Sequence, residues 1–179
     1  MNFPDIFGDS TNSNPNPNSD PRFQQFVERL QQVEDRDRLI QETLNGLRKH
    51  LKSDRIVLYY FYKEWRGQVT FESLRYIDYS IYGSTGADDC FSDKYARLYL
   101  EGRISAISDI DEADIDPCHR DFLKSIRVKA NLAVPVIKNQ QLWGLLIAHH
   151  CQTPHSWVDS EILTMKQAAT LLSESPFLD

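Results

Sequence analysis

Residues 130–149 read ANLAVPVIKNQQLWGLLIAH. Two apolar segments, 130–137 and 142–149, flank the short polar turn Lys138-Asn139-Gln140. Apolar runs of this length on either side of a tight turn are typical of an antiparallel hairpin. Pro135 has no N–H to donate to a strand ladder, so we expect it at a sheet edge or a bulge. This stretch therefore predicts a pair of antiparallel strands.

A second hairpin is predicted upstream of the first. Residues 55–62 and 68–74 are rich in β-branched and aromatic side chains, and the turn Glu64-Trp65-Arg66-Gly67 separates them. Residues 76–102 then form a long irregular excursion with a short helical patch at 95–100, and such excursions inside compact domains are usually functional. We expect a short strand at 104–107 and a helix at 118–126 before the last hairpin.

Helices are predicted at both ends of this strand-rich region. Apolar residues at helical spacing predict two helices within 21–51, one ending near Val33 and the next beginning near Leu39. The pattern Ser156-Trp157-Val158-Asp159 predicts the start of a closing helix. The order of these elements predicts an α+β fold with a central antiparallel sheet of about six strands and helices packed on it.

Length and charge limit the classes of function. The chain has 179 residues and a formal net charge of -6, which argues against a nucleic-acid partner. We expect a disordered leader at 1–20, one domain at 21–175 and a short tail at 176–179. No apolar run is long enough to span a membrane and the N-terminus lacks a secretory signal, so we expect a cytoplasmic protein with no membrane partner.

The sequence contains the cysteines Cys90, Cys118 and Cys151. An odd number without an export signal argues against disulfides, so we expect reduced thiols. Cys151 is expected to be a small buried core residue. The spacing of Cys90 and Cys118 lacks a Cys-x-x-Cys pattern and argues against a metal site. Adjacent side chains on a helix diverge, which argues against a nucleophilic enzyme built on Cys118 and His119.

Four motifs resemble cyanobacteriochrome GAF domains of the phytochrome superfamily. They are Asp88-Asp89-Cys90-Phe91, Cys118-His119, the strand segment 129–135 and the run 143–149. The resemblance spans about residues 22–175, and the first motif is similar to that of the Asp-x-Cys-Phe, or dual-cysteine, branch. It implies a GAF fold and a covalently bound linear tetrapyrrole, or bilin.

The resemblance also implies roles for individual residues. Cys118 matches the cysteine that forms a permanent thioether to the bilin, and Cys90 matches a second cysteine that adds reversibly to the central bridge. The remaining implied pocket residues are Asp88 facing the pyrrole nitrogens, Phe91 of the same motif, Arg103 pairing with a propionate, His119 packing on the pigment and His149 near a propionate or the D-ring. Tyr95 stands where some relatives carry tryptophan.

These residue types suit the chemistry of a bilin. A thiolate is a strong nucleophile near neutral pH, a carboxylate accepts hydrogen bonds from pyrrole N–H groups, and a guanidinium matches a carboxylate bidentately. Other readings remain open for three of the residues. His149 also fits a core histidine, Arg103 a surface cation and Asp88 a loop cap.

The implied function is that of a photoreceptor rather than an enzyme, apart from attachment and isomerisation of its own pigment. We expect phycocyanobilin or its isomer phycoviolobilin, switching between blue- and green-absorbing states through Z/E isomerisation and the second thioether. The alternatives are a bilin carrier that does not switch, and a GAF module that binds another small ligand or a protein. An unidentified signalling partner and a homodimer through the terminal helices complete the expectations.

Overall fold

The computed structural model describes residues 20–63, 66–85 and 93–178, with the backbone alone at residues 93–95 and 177. Within these ranges, four α-helices and five strands follow one another along the chain. They are α1 (Pro21–His50), β1 (Arg55–Lys63), β2 (Arg66–Leu74), α2 (Asp93–Leu100), β3 (Ser105–Ile107), α3 (Pro117–Ser125), β4 (Ala130–Lys138), β5 (Gln141–His150) and α4 (Asp159–Glu174).

The strands form one antiparallel sheet in the order β2-β1-β5-β4-β3. The predicted α+β fold with a central antiparallel sheet is confirmed, with five strands in the described residues where about six were expected. β3 pairs with residues 131–133 of β4, so Pro135 lies beyond the end of β3. The N–H that proline lacks is therefore not needed for pairing with β3. A register shift follows at Val136 and Ile137.

Helices cover one face of this sheet. Leu44 and Leu47 of α1 and Met165 and Leu172 of α4 are buried against the even-numbered face of the central strands, which includes Leu146. Burial of this many aliphatic side chains is the main driving force for folding, at roughly 25 cal/mol per Å² of apolar surface. The opposite face is left for α2, α3 and the loops between them.

The first helix differs from the prediction. Two helices were expected, but α1 runs unbroken over 30 residues. The connecting segment 34–38 is charged yet contains neither glycine nor proline, and Arg38 pairs with Asp35 within it. Ion pairs between neighbouring charged residues support a helix. The interruption of the apolar pattern at 34–38 therefore shows that the apolar residues move to another side of the helix, and the helix itself continues.

The start of the closing helix also differs. It was expected at Ser156, whereas α4 begins at Asp159 with Val158 as its N-cap. The Glu161 carboxylate accepts a hydrogen bond from the Val158 N–H at 3.1 Å and also pairs with His155 at 3.0 Å. Glu161 therefore replaces the expected serine as the group that satisfies the first turn. Among the described helices, none is long and apolar enough to cross a membrane.

Candidate functional site

The site is built on the odd-numbered face of the sheet, where the register aligns side chains in rows. Arg55 of β1 pairs with His149 of β5, His149 with Asn131 of β4, and Asn131 with Ile107 of β3. Directly opposed residues of antiparallel strands project from the same face. This first row therefore carries three adjacent polar side chains on an otherwise apolar surface.

A second row beside the first is apolar in its centre. Val57 pairs with Ile147, Ile147 with Ala133, and Ala133 with Ser105. Tyr59 and Leu145 continue this surface one step further along the strands. The sheet thus offers a floor that is polar at one end and apolar beyond it.

A cavity of about 440 Å³ lies on this floor. That volume is within the ~300–1,000 Å³ typical of pockets for small molecules and cofactors. Its walls come from α2, α3 and the connecting loops. Besides the floor residues Val57, Tyr59, Ser105, Ile107, Asn131, Ala133, Leu145, Ile147 and His149, the cavity is lined by Val69, Ile81, Ser84, Tyr99, Arg103, Asp114, Ile115, Asp116, Pro117, His119, Phe122, Leu123 and Ile126.

Helix α3 brings the predicted anchor to the rim of the cavity. Its N-cap, Asp116, accepts a hydrogen bond from the Cys118 N–H at 2.8 Å, and Pro117 occupies the first helical position. Pro117 and His119 line the cavity, whereas Cys118 between them is exposed and is not part of the lining. The predicted helix at 118–126 is therefore present, and Cys118 stands on its first turn.

The oxidation state of Cys118 differs from the expectation of reduced thiols. In the structure Cys118 is in a disulfide bond, while Cys151 is a free, buried cysteine. An odd cysteine count and a missing export signal indicate the redox compartment, and they do not determine the state of an individual cysteine. Thioether formation at Cys118 thus requires its reduced form.

Arg103 and His119 act on one another electrostatically at the cavity wall. Burial lowers the pKa of His119, Asp116 partly offsets this, and the positive charge of Arg103 lowers it further. His119 is half-buried and both side chains line the cavity. The structure therefore brings Arg103, His119 and His149 to one cavity, as their predicted roles require.

His149 lies at the polar end of the floor and is 2% exposed. Its Nδ1 accepts a hydrogen bond from Arg55 Nε at 3.0 Å. The pKa of His149 is well below its ordinary value because the ring is buried and because the positive charge of Arg55, and that of His119 and His150 whenever they are protonated, opposes a further charge. The lowered pKa favours the neutral form of the imidazole.

Asp88, Cys90 and Phe91 lie outside the described residues. Tyr95 belongs to α2, of which only the backbone is described at that position. The same helix supplies Tyr99, which lines the cavity.

Arg55 and Asn131 were missed as site residues. Both are buried polar residues of the first row, at 1% and 4% exposure, and Asn131 lines the cavity. In the sequence, each of them is a polar residue at or near the start of an otherwise apolar strand, and this pattern could have marked them as candidates. The pattern identifies them as site residues only once the strand register shows that both lie beside His149 on the same face of the sheet.

Cys151 has a different environment. Burial raises the pKa of its thiol to about 11, partly offset by the charge of Arg55. Its backbone N–H donates to the Asp54 carboxylate at 2.8 Å. This is the buried core cysteine that the sequence predicted.

Comparison with known proteins gives consistent relatives. Residues 35–175 match the model of the GAF domain. An uncharacterised protein of Picosynechococcus sp. (strain PCC 7002) is 49% identical over 153 residues, which cover 85% of this chain and 94% of that protein. The circadian input-output histidine kinase CikA of Synechocystis sp. (strain PCC 6803) is 31% identical, over 86% of this chain and 24% of the kinase.

A putative methyl-accepting chemotaxis protein of the same Synechocystis strain is 44% identical over 65% of this chain. The match spans only 12% of that protein, so this chain corresponds to a small part of it. The chain likewise spans about a quarter of CikA. These two relatives are much larger proteins in which the matching region is one portion.

Solved structures agree with the sequence relatives. The blue-light absorbing form of the PixJ GAF domain from Thermosynechococcus elongatus superposes with a TM-score of 0.74 and 33% identity, over 80% of this chain and 86% of that one. A cyanobacteriochrome receptor PixJ structure gives a TM-score of 0.73 and 32% identity, over 79% and 95%. A phycocyanobilin-bound GAF domain from a cyanobacterial phytochrome, at 24% identity and a TM-score of 0.71, shows the shared fold.

Proposed function

The chain belongs to the GAF domain family, and from this premise we propose that it is a bilin photoreceptor whose pigment is attached through Cys118. The observation that carries the proposal is the position of Cys118 on the first turn of α3. Its neighbours Pro117 and His119 line the cavity. A nucleophilic thiol at the rim has no evident purpose in a GAF module that binds its ligand reversibly.

The cavity suits a linear tetrapyrrole in polarity. A bilin is a long conjugated molecule with an apolar body, polar pyrrole and carbonyl groups, and two carboxylates. The apolar row around Val57 and Ile147 matches the body, and Asn131 and His149 offer hydrogen bonds at the polar end. Arg103 provides a cation for a carboxylate.

The chain's own residues would prepare the attachment. The first turn of a helix carries partial positive charge, which favours a negatively charged group placed there. The Asp116 cap holds that turn in place through the Cys118 N–H. Arg103 and the neutral, half-buried His119 would orient the ligand beside the thiolate.

Switching is the finer part of the proposal. When bound, the bilin supplies light absorption and Z/E photoisomerisation. Cys90 would form the second, reversible thioether that interrupts conjugation, giving a blue-absorbing and a green-absorbing state, with phycocyanobilin or phycoviolobilin as the pigment. The motif Asp88-Asp89-Cys90-Phe91 supports this assignment, as does the similarity to the PixJ domain that has been crystallised in a blue-light absorbing form.

Co-production with phycocyanobilin tests the attachment. The purified, denatured protein should show zinc-induced fluorescence of a covalent bilin on a gel. The Cys118→Ala variant should lose this signal completely, whereas Cys151→Ala, which removes the buried thiol, should retain it. A wild-type protein without covalent pigment, or a Cys118→Ala protein with undiminished signal, would contradict the proposal.

Illumination of the loaded protein tests the switch. Alternating blue and green light should interconvert two absorption spectra reversibly in the wild type. The Cys90→Ala variant should keep covalent pigment at Cys118 but lose the blue-absorbing state. Stable pigment with no spectral change under light would instead identify a bilin carrier.

For protein partners, we propose a signalling role and a homodimer through the terminal helices. The kinase and chemotaxis relatives support a place in signal transduction. The N-terminal half of α1 carries an exposed apolar stripe in which successive residues are three or four positions apart, namely Phe23, Phe26, Leu30 and Val33. That spacing is typical of a coiled-coil seam.

Charges beside this stripe indicate a second, parallel copy of the chain as its partner. With Phe23 and Leu30 at a positions, Arg22, Arg29 and Arg36 fall at g and Glu34 falls at e. An antiparallel pair would bring arginines at g against each other. A parallel pair instead places Arg29 of one copy beside Glu34 of the other.

A further inference from the structure

The buried Arg55 has a set of partners that the pigment-binding proposal does not explain. It is 1% exposed, and each of its three guanidinium nitrogens donates a hydrogen bond. The acceptors are His149 Nδ1 at 3.0 Å, the Tyr79 carbonyl at 2.6 Å and the Ile126 carbonyl at 3.1 Å. All three acceptors are uncharged groups.

Burying a cation in this way is costly unless its hydrogen bonds are satisfied. A leucine or methionine of similar size would fill the same space without that cost. The carboxylates of Asp54 and Glu72 contribute attraction at longer range. The position therefore uses a property that an apolar residue lacks, namely donors that remain protonated at every physiological pH.

That property determines the protonation of His149. The Nε–H of Arg55 can only donate, so the His149 nitrogen facing it must present a lone pair. A proton on Nδ1 would remove the acceptor and bring two N–H groups together. Only the neutral ring with its proton on Nε2 satisfies the contact.

We infer that Arg55 is a positioning residue for His149, fixing the imidazole as the neutral Nε2–H tautomer so that the polar end of the cavity presents an N–H donor. A ligand group at that end must therefore supply an acceptor, such as a carbonyl or carboxylate oxygen. The inference concerns the protein before any ligand binds. It holds whether or not the proposed pigment is the natural ligand.

The surroundings of His149 act in the same direction. Burial is the largest cause of the lowered pKa of His149, and the positive charge of Arg55 on β1 lowers it further. His119 on α3 and the adjacent His150 on β5 act in the same direction whenever they are protonated. Asn131 on β4, the opposite neighbour in the row, is uncharged. No carboxylate among the described residues counteracts this by raising the pKa of His149.

Nuclear magnetic resonance on ligand-free protein, labelled with ¹⁵N-histidine and studied with its cysteines reduced, reads the tautomer directly. The His149 signals are assigned by their loss in His149→Gln. In the wild type, Nδ1 should resonate as an unprotonated nitrogen and Nε2 as a protonated one, without titrating near the ordinary histidine pKa of about 6.5. A protonated Nδ1 in the wild type overturns the inference, and this result needs no variant to fold.

Variants of Arg55 separate positioning from simple structural support. Arg55→Met removes the charge and the donor, so the His149 nitrogens should shift toward a mixture of tautomers and the pKa of His149 should rise. Arg55→Lys keeps a charged donor and should keep the ring neutral. Arg75→Met removes an exposed arginine that pairs with Asp54 at 3.5 Å and serves as the matched control.

An unchanged His149 tautomer and titration in folded Arg55→Met would also overturn the inference. Failure of pigment attachment would refute the proposed function without affecting these spectra. In loaded protein, Arg55→Met should gain a pH-dependent absorption spectrum over the range in which the wild-type spectrum is constant. The two proposals are therefore tested independently.

Discussion

Two cysteines of the described structure differ in reactivity because their surroundings differ. Cys151 is buried, and burial raises the pKa of its thiol to about 11. Cys118 is exposed on the first turn of a helix. The thiolate is the reactive form of cysteine, so only the second environment favours reaction with an electrophile.

Alkylation of the reduced protein should reveal this difference. At pH 8, about one molecule in a thousand carries Cys151 as thiolate, given a pKa three units higher. Iodoacetamide should therefore modify Cys118 long before Cys151, as measured by peptide mass spectrometry. In denaturant both should react at similar rates, and equal rates in the folded protein would contradict the burial argument.

Polar residues within the sheet show the limit of sequence reasoning at this scale. His149 could be predicted as a site residue through resemblance, but Arg55 and Asn131 could not. Each occurs once in an apolar segment and has an ordinary explanation there. Their common role depends on strand register, which places both of them beside His149. Arg55 is 94 positions from His149 in the sequence, and Asn131 is 18 positions from it.

At the scale of elements, α3 connects the anchor to the cavity. Its N-terminal turn is held by Asp116 and Pro117, while its C-terminal end reaches Arg55 through the Ile126 carbonyl. A carbonyl at a helix C-terminus carries partial negative charge and favours a cation. Both ends of this short helix are therefore fixed by polar contacts.

Removal of the Asp116 cap should affect both stability and attachment. Asp116→Ala should lower the free energy of unfolding by about 1 kcal/mol, because an N–H of the first turn loses its acceptor. It should also slow covalent attachment at Cys118, measured from the rise of bilin fluorescence on denaturing gels. Asp116→Asn keeps an acceptor oxygen and should attach pigment at nearly the wild-type rate. A normal rate in Asp116→Ala would show that the cap does not position Cys118.

Helix boundaries were predictable where a local signal exists. Pro117 and the preceding Asp116 mark the start of α3, and the predicted range was correct to within one residue at each end. The continuity of α1 was not predicted, because the polar segment 34–38 looks like a linker until its ion pairs are known. The start of α4 was wrong because Glu161 caps it from inside the helix.

For the whole molecule, the fold class followed from the order of elements, but the strand order did not. Nothing local specifies that β5 lies between β1 and β4. That arrangement places the two hairpins side by side and brings β5 to the centre. It is also why His149, near the end of β5, has neighbours from both sides in the cavity floor.

Association of two molecules through α1 should be measurable in solution. We expect a dimer by light scattering coupled to size-exclusion chromatography. Leu30→Glu should yield a monomer, because it places a charge in the centre of the apolar stripe. Gln31→Glu adds the same charge on the neighbouring exposed position and should remain dimeric. A monomeric wild type, or a dimeric Leu30→Glu, would contradict a seam at this stripe.

The continuity of α1 also gives the molecule a lever arm. The helix rises about 1.5 Å per residue, so residues 21–38 extend about 27 Å beyond the part that packs on the sheet through Leu39, Ile40 and Leu44. A tilt of about 5° where the helix meets the sheet moves its N-terminal end by about 2.4 Å, from the same rise. Small rearrangements beside the sheet are thereby magnified at the opposite end of a rigid rod.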